Sequence, residues 1–290
     1  MDMQSWRDKW CDGARFFQFQ GHQIAYWTGG DESAKPLLLV HGYPTCAWDW
    51  MSVWETLGQK YHLIACDMLG FGLSDKPRVG YSIHRQTDVQ EALLEHLGIS
   101  EFDALVHDYG VSVGQELLAR QQEGSGATAL GRMVFLNGGI FPDQHRPVLM
   151  QKIGVSPFGF LLGLLMSRKR FGTSFSAVFG PDTKPSEGEL NAFWAFISHN
   201  EGHRITHTLL HYIADRRTHK ERWESALRGA EDRIGLINGA LDPVSGRHAY
   251  EKWREVVPGA RHHLLETIGH YPQVEAPGAV AAKTLEWLSD

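Results

Sequence analysis

Asp103-Ala-Leu-Val-His107 runs directly into Asp108-Tyr-Gly-Val-Ser-Val-Gly114 and then into the helical pattern Gln115-Glu-Leu-Leu-Ala-Arg120. An apolar, strand-forming run therefore ends at a polar side chain, and a helix begins with no loop between them. Such a turn from strand to helix is strained and lifts the side chain at its tip above the sheet. The pattern predicts a nucleophile elbow of an α/β fold.

Two residues compete for the tip of this elbow. Gly110-Val-Ser112-Val-Gly114 matches the G-x-S-x-G motif of a serine-type esterase. The tip must follow the strand directly, however, and with Ser112 at the tip the strand would continue through Asp108-Tyr109-Gly110, which are poor strand residues. Asp108 is therefore the predicted nucleophile, and Ser112 remains the alternative.

Short apolar runs alternate with helical stretches on both sides of the elbow, a pattern typical of a mostly parallel sheet covered by helices. The clearest predicted strands are residues 37–40, 62–66, 104–106, 133–136, 234–237 and 262–265. Because ligands bind beyond the carboxyl ends of the strands in open α/β sheets, polar residues that follow these strands are candidate site residues.

An insertion interrupts the second half of the pattern. About 95 residues separate the strands predicted at 133–136 and 234–237, whereas α/β connections usually have about 2 to 6. We expect a core of residues 1–138 and 230–290 with a helical cap of residues 139–229. In the cap, helices are predicted at 191–197 and 205–213, with a break at 200–202. The cap holds 12 Lys/Arg and 8 Asp/Glu, a net charge near +4, and the remainder (16 against 26) is near −10.

Composition excludes several functional classes. The net charge of −6 is spread without basic runs, so nucleic acid is not an expected partner. The longest apolar run, residues 158–166, is far shorter than the roughly 20 residues of a membrane span. The N-terminus does not resemble a signal peptide, and three cysteines without metal-ligand spacing indicate free thiols. We expect a cytoplasmic protein of unspecified oligomeric state that acts on a small apolar molecule without a cofactor or metal.

Three further strand ends supply partners for the elbow. His41-Gly-Tyr43-Pro follows the first long strand, and the backbone N–H groups of Tyr43 and Tyr109 are predicted to form an oxyanion hole. Asp242 and His270 each follow a late strand. They complete the chain order nucleophile, acid, histidine that this type of elbow requires.

Five motifs resemble the epoxide hydrolase and haloalkane dehalogenase branch of the α/β-hydrolases over nearly the whole chain. They are His41-Gly-Tyr-Pro, Asp67-Met-Leu-Gly-Phe-Gly-Leu-Ser-Asp-Lys-Pro77, His107-Asp-Tyr-Gly, Gly239-Ala-Leu-Asp-Pro and Gly269-His-Tyr-Pro. Three stretches look closer still to the mesoderm-specific transcript proteins, a subgroup of that branch: Asn137-Gly-Gly-Ile-Phe-Pro, Val178-Phe-Gly-Pro181 and Pro185-Ser-Glu.

The resemblance implies an aspartate nucleophile and a choice between two reactions. Epoxide hydrolases of this family use cap tyrosines, commonly two, as donors to the epoxide oxygen. Tyr212 resembles the second of these. The first has no tyrosine counterpart, and His145 lies roughly where that donor is expected. The predicted function is hydrolysis of an apolar epoxide to a vicinal diol.

Three alternatives remain beside it. Haloalkane dehalogenases hold the halide with Asn or Trp near the oxyanion turn and Trp after the nucleophile, where this chain has Tyr43 and Tyr109. Trp48 or Trp194 is then the candidate indole donor. A serine-type esterase and a non-catalytic binding protein on a hydrolase scaffold are the others.

Two sets of cap side chains have a structural interpretation as well as a functional one. His199, His203, His207 and His211 recur every four residues. At about 100° per residue the last three lie roughly opposite Tyr212, so they are interpreted as a solvated face and not as metal ligands. Apolar cap residues, among them Phe160, Leu161, Leu164 and Phe171, indicate either an apolar pocket or cap helices that pack on each other.

Overall fold

The computed structural model describes residues 2–144, 146 and 159–289. Within these ranges eight strands form one sheet in the order β1-β2-β4-β3-β5-β6-β7-β8. The strands are β1 (Arg15–Phe19), β2 (His22–Gly29), β3 (Pro36–Val40), β4 (His62–Cys66), β5 (Glu101–Val106), β6 (Ala129–Phe135), β7 (Ile234–Gly239) and β8 (Arg261–Leu265). From β4 to β8 all neighbours are parallel, and β1 and β2 add an antiparallel edge.

All six predicted strands are confirmed, and the α/β class with them. The hairpin of β1 and β2 was not predicted from the sequence. In β3, Leu38 and Val40 pack into one apolar cluster and Leu37 and Leu39 into the other, because alternate side chains of a strand point to opposite faces. The central sheet is therefore buried on both faces, as parallel sheets require.

Helices cover the two faces and make up much of the described part of the segment between β6 and β7. They are α1 (Met3–Asp12), α2 (Met51–Gly58), α3 (Ile83–His96), α4 (Tyr109–Glu123), α5 (Phe160–Leu165), α6 (Arg168–Ser176), α7 (Glu187–Ser198), α8 (Thr206–Leu209), α9 (Tyr212–Thr218), α10 (Lys220–Arg228), α11 (Arg247–Val256), α12 (Pro272–Glu275) and α13 (Pro277–Ser289). Short 3₁₀ helices occupy Ala47–Trp50, His199–Arg204 and Glu231–Arg233.

The inserted segment departs from the sequence-based prediction at one point. The helix predicted at 191–197 lies within α7, and the predicted break is present, since Asn200 and Glu201 have φ values of 47° and 57°. The single helix predicted at 205–213 is wrong, because the chain forms α8 and α9 with a tighter turn between them. Thr206 and Thr208 donate side-chain hydrogen bonds to nearby backbone carbonyls, which competes with a regular helix.

Strand register brings the predicted site residues to one edge of the sheet. Val40 of β3 pairs with Val106 of β5, so the turns that follow these two strands emerge side by side. The three cysteines are free. No helix in the described part of the chain is long and apolar enough to cross a membrane.

Candidate active site

Asp108 occupies a strained turn between β5 and α4. Its φ of 46° and ψ of −104° lie in a region that non-glycine residues rarely adopt, so the surrounding packing must hold it there. Glycines make that packing possible. A Cβ at Gly110 would lie 2.3 Å from the carbonyl oxygen of Val40, and a Cβ at Gly42 would lie 2.6 Å from the Cβ of Asp108. The geometry is that of the predicted elbow with Asp108 at its tip.

Three predicted residues meet at this tip. His270 Nε2 lies 3.1 Å from Asp108 Oδ2, and His270 Nδ1 lies 2.7 Å from Asp242 Oδ2. All three side chains are buried. The imidazole therefore bridges two carboxylates that belong to turns 134 residues apart in the sequence (242 against 108).

The bridge shifts the pKa values of His270 and Asp108. Burial favours neutral His270, but the charge of Asp242 and the hydrogen bonds to Asp108 and Asp242 outweigh it and raise the pKa of His270 to about 10. Burial opposes ionisation of Asp108, yet the hydrogen bond and charge of His270, with the charge of Arg216, lower the pKa of Asp108 well below its usual range. The resting site thus holds an imidazolium between two carboxylates.

Asp242 is held by the ends of two neighbouring strands. Its Oδ1 accepts the Val244 N–H at 2.7 Å, and its Oδ2 accepts the Ser245 hydroxyl at 2.6 Å and the Asn137 side-chain amide at 3.0 Å. Asn137 follows β6 and also accepts the Gly239 N–H at 2.6 Å. Because these donors hold both of its carboxylate oxygens in place, Asp242 can orient His270 and compensate its positive charge.

The two predicted oxyanion donors flank Asp108. The Tyr43 N–H donates to Asp108 Oδ1 at 3.1 Å, so one carboxylate oxygen already occupies the position of an oxyanion. Tyr109 is the first residue of α4, and a helix has no internal acceptor for its first N–H groups. Both amides can therefore serve an acyl oxygen of Asp108.

Ser112 lies behind the nucleophile turn and not at its tip. It is fully buried in α4, and its hydroxyl accepts a 2.6 Å hydrogen bond from Arg216 Nε. His270, the predicted base, contacts Asp108 instead. Among the described residues, Ser112 therefore lacks the contact with a base that activates a serine nucleophile.

Arg216 is a site residue that the sequence analysis missed. It comes from α9, is 2% exposed, and donates from Nη2 to the main-chain carbonyl of Asp108 at 2.9 Å. Its guanidinium carbon lies 4.4 Å from the ring centroid of Tyr212. The four-residue spacing of Tyr212 and Arg216 was the available signal, since it places both on one face of a helix.

Tyr212 lies against Tyr43 and Tyr109, the two predicted oxyanion-hole residues. It is fully buried, with its ring centroid 4.7 Å from that of Tyr109 and 6.2 Å from that of Tyr43. The other predicted donor, His145, is outside the described residues. Trp48 packs against Trp10 and Phe196 in the core.

A cavity of ≈ 920 Å³ opens onto Asp108 and His270. Its other described lining residues are Tyr43, Pro44, Leu165, Met166, Lys169, Arg170, Phe171, Thr173, Ser174, Phe175, Ala177, Val178, Val244 and Tyr271. Phe171 was predicted for an apolar pocket and lines it, but Phe160, Leu161 and Leu164 are exposed instead. The volume suits a small organic substrate, and most of the lining is apolar.

The histidine series in the inserted segment stays apart from this cavity. His199, His203 and His207 are half-buried and His211 is exposed, and none of them lines the cavity. The described residues contain no cluster of three or more His, Cys, Asp or Glu side chains suited to a metal ion.

Comparison with known proteins gives a family match over most of the chain. Residues 35–277 match the alpha/beta hydrolase fold family. The human mesoderm-specific transcript homolog protein is 42% identical over 282 residues, which cover 92% of this chain and 83% of that protein.

Two solved structures share the architecture. The ligand-free epoxide hydrolase CorEH superimposes with a TM-score of 0.75 at 20% identity, covering 95% of this chain and 98% of that one. A loop variant of the haloalkane dehalogenase DbeA from Bradyrhizobium elkanii gives a TM-score of 0.78 at 20% identity, covering 95% and 96%. At these identities the likeness establishes the fold.

Proposed function

The chain belongs to the α/β-hydrolase fold family, and from that premise we propose that it hydrolyses an apolar epoxide to a vicinal diol through an ester on Asp108. One observation carries the proposal. The His270 imidazole contacts the carboxylate of Asp108 at 3.1 Å, whereas the Ser112 hydroxyl is engaged by Arg216. A carboxylate nucleophile suits a strained alkyl electrophile, because its attack opens the ring and leaves a hydrolysable ester.

In the first half-reaction an oxygen of the Asp108 carboxylate attacks an epoxide carbon, and the carbon–oxygen bond of the ring breaks. The ring oxygen takes a proton from a phenol, for which Tyr212 is the proposed donor. Its place beside Tyr43 and Tyr109 supports this role. The product of this step is a hydroxyalkyl ester of Asp108, and the His270 imidazolium, no longer paired with a charged Asp108, gives up its proton to restore the phenol of Tyr212.

In the second half-reaction His270 accepts a proton from water, and the hydroxide oxygen adds to the ester carbonyl of Asp108. The Tyr43 and Tyr109 amides stabilise the oxyanion, while Asp242 compensates the charge on the imidazolium. Collapse of the tetrahedral intermediate releases the diol as the alkoxide takes the proton of the newly formed Asp108 carboxyl group, and His270 is again an imidazolium. The Asp108 carboxylate is restored, with one of its oxygens now derived from water.

We further propose that residues 139–229 act as a cap over this site. Side chains from α6 line the same cavity as Asp108, and Arg216 of α9 reaches the backbone behind it. A cover of this kind keeps bulk water away from the epoxide while the ester forms, which prevents side reactions.

A single turnover in ¹⁸O-labelled water tests the assignment of the nucleophile. The label should appear in the carboxylate of Asp108, and the first diol released should carry the old carboxylate oxygen. Label found directly in that first diol would mean that water attacks the substrate itself, and the ester mechanism would then be wrong.

Trapping the intermediate provides an independent test. His270→Gln removes the base of the second half-reaction, so a single equivalent of epoxide should leave a stable mass increase on the peptide that contains Asp108. Ser112→Ala in the same background is the matched control and should leave the adduct in place. An adduct on Ser112 would reassign the protein to the serine-type esterases.

A substrate panel separates the epoxide from the haloalkane. A halide leaving group needs indole or amide N–H donors in the cavity, and the described lining residues include neither Trp nor Asn. We therefore expect turnover of epoxides and none of chloroalkanes. Chloride release from a chloroalkane that depends on Asp108 would favour a dehalogenase.

A further inference from the structure

Helix α5 presents an apolar face to solvent. Seven large apolar side chains are exposed in the described part of the chain, and four of them belong to this six-residue helix. They are Phe160 (49% exposed), Leu161 (39%), Leu164 (62%) and Leu165 (57%). A contiguous apolar patch of this kind on a folded protein marks an interaction surface.

The packing of the opposite side of α5 determines this orientation. Gly163 is buried, and a Cβ there would lie 2.6 Å from the carbonyl oxygen of Arg204. The helix is therefore seated directly on the backbone of the His199–Arg204 turn. The helical period places residues 160, 161, 164 and 165 on the side of α5 opposite Gly163. They are exposed because the contact of Gly163 with the Arg204 backbone fixes which side of the helix faces the protein.

Positive charge lies next to this face. The segment 160–176 contains Arg168, Lys169 and Arg170 and no acidic residue. Arg168 is paired with Glu187, but the Lys169 ammonium has no hydrogen-bond or ion-pair partner among the described residues, and Arg170 donates only to the backbone carbonyl of Leu165. Two uncompensated cations therefore border the apolar patch.

We propose that the α5–α6 face, formed by Phe160, Leu161, Leu164, Leu165, Lys169 and Arg170, docks on an anionic phospholipid bilayer. Apolar side chains flanked by cations suit an interface in which acyl chains lie beneath negative headgroups. Charge also sets the orientation. The inserted segment is near +4 and the rest of the chain near −10, so an anionic membrane attracts this face and repels the remainder.

A second copy of the chain fits the same face less well. A two-fold contact would bring the Lys169 and Arg170 cations of both copies to one interface without an acidic residue on α5 or α6 to pair with them. A bilayer supplies the missing negative charge and accepts all four apolar side chains.

Docking would place the catalytic cavity at the membrane. Leu165 belongs to the exposed face and also lines the cavity with Asp108, as do Lys169 and Arg170. An apolar substrate dissolved in the bilayer would then enter the cavity without crossing water. The membrane-binding proposal itself is independent of the reaction assigned to Asp108.

Flotation with vesicles tests the proposal, using pure phosphatidylcholine and a mixture with phosphatidylserine. Phe160→Asp and Phe16→Asp form a matched pair, because both side chains are 49% exposed and Phe16 lies on β1. Phe160→Asp should weaken binding to the mixed vesicles by at least about tenfold, because an apolar anchor is replaced by an anion. Phe16→Asp should bind like the unmodified protein.

The charge component is measured with the double variant Lys169→Gln/Arg170→Gln. Each cation near an anionic surface strengthens binding about fivefold, so loss of both should weaken binding to the mixed vesicles roughly 25-fold. Asp108→Asn should float as the unmodified protein does, which separates this proposal from the proposed function. Circular dichroism verifies that each variant is folded.

Three results would overturn membrane docking. The first is absence of binding to the mixed vesicles, and the second is equal binding by the folded Phe160→Asp and Phe16→Asp proteins. The third is a lipid-free dimer in analytical ultracentrifugation that Phe160→Asp, but not Phe16→Asp, converts to monomer. That result would assign the face to a second copy of the chain.

Discussion

Replacing Asp108 with asparagine should lower the pKa of His270 sharply. In the resting protein the imidazolium lies between two carboxylates, and its pKa is about 10 because the charge of Asp242 and the hydrogen bonds to Asp108 and Asp242 outweigh the effect of burial. Asp108→Asn keeps the size of the side chain and removes its negative charge. The protonated imidazole loses one of its two counter-charges, so its pKa must fall.

The size of the shift follows from the contact distance. His270 Nε2 and Asp108 Oδ2 are 3.1 Å apart. At an effective dielectric constant of about 20, two unit charges at this distance attract by about 5 kcal/mol, which corresponds to roughly 4 pKa units. The asparagine amide retains some of the dipolar interaction. We therefore expect a fall of about 3 units, to a value near neutrality.

Nuclear magnetic resonance of the ¹⁵N-labelled histidine ring measures this pKa directly. Ser112→Ala is the control, because Ser112 contacts Arg216 and should leave the titration of His270 unchanged. A pKa for His270 in Asp108→Asn that stays within about half a unit of its resting value would refute the electrostatic reasoning. A large shift caused by Ser112→Ala would do the same.

This shift matters for catalysis because an esterified Asp108 is neutral, as asparagine is. In the proposed mechanism His270 is therefore charged in the resting protein and becomes a base only after the ester has formed. The sequence alone predicts that the turnover rate decreases when the pH drops below about 6.5, the ordinary pKa of histidine. In the structure this pH dependence applies only to hydrolysis of the ester, because the two carboxylates raise the pKa of His270 in the resting protein.

Three further predictions concern the surroundings of the nucleophile. Arg216→Met should reduce kcat about 10- to 100-fold in steady-state assays with little change in KM, because Asp108 loses a charge-assisted contact at its main-chain carbonyl. An unchanged kcat would show that Arg216 only fills space. Gly110→Ala should lower the free energy of unfolding, measured by urea denaturation, by about 3 kcal/mol or more, because the added Cβ would clash with the Val40 carbonyl oxygen. An unchanged urea midpoint of unfolding would contradict this close packing. Tyr212→Phe should slow ester formation more than Tyr43→Phe in rapid-quench experiments, and the reverse order would assign the proton donor to Tyr43.

The elbow could be predicted from the sequence because its determinants are close together in the chain. The end of the apolar run at His107 identifies Asp108 as the tip, and the nearby Gly110 permits the approach to Val40 that the structure contains. Asp242 and His270 could be predicted because each lies in the loop that follows a strand. Parallel strands bring such positions to the same edge of the sheet.

Contacts between distant elements could not be predicted in the same way. In the sequence, nothing distinguishes Arg216 from an exposed surface arginine. It is buried behind Asp108 only because α9 brings it into contact with Asp108 and Ser112 at the start of α4. The apolar pattern of α5 suggested a pocket lining, whereas the structure exposes Phe160, Leu161 and Leu164.

The sequence by itself thus determined the order of the six predicted strands, the strained turn at Asp108 and the residues that follow each of these strands. These depend on hydrogen bonding and side-chain periodicity within a few residues. Tertiary structure alone decided which side chains share a face, which apolar helix stays exposed and which buried charge supports the nucleophile. Those outcomes depend on how elements about 100 residues apart pack together, and local sequence patterns do not encode that packing.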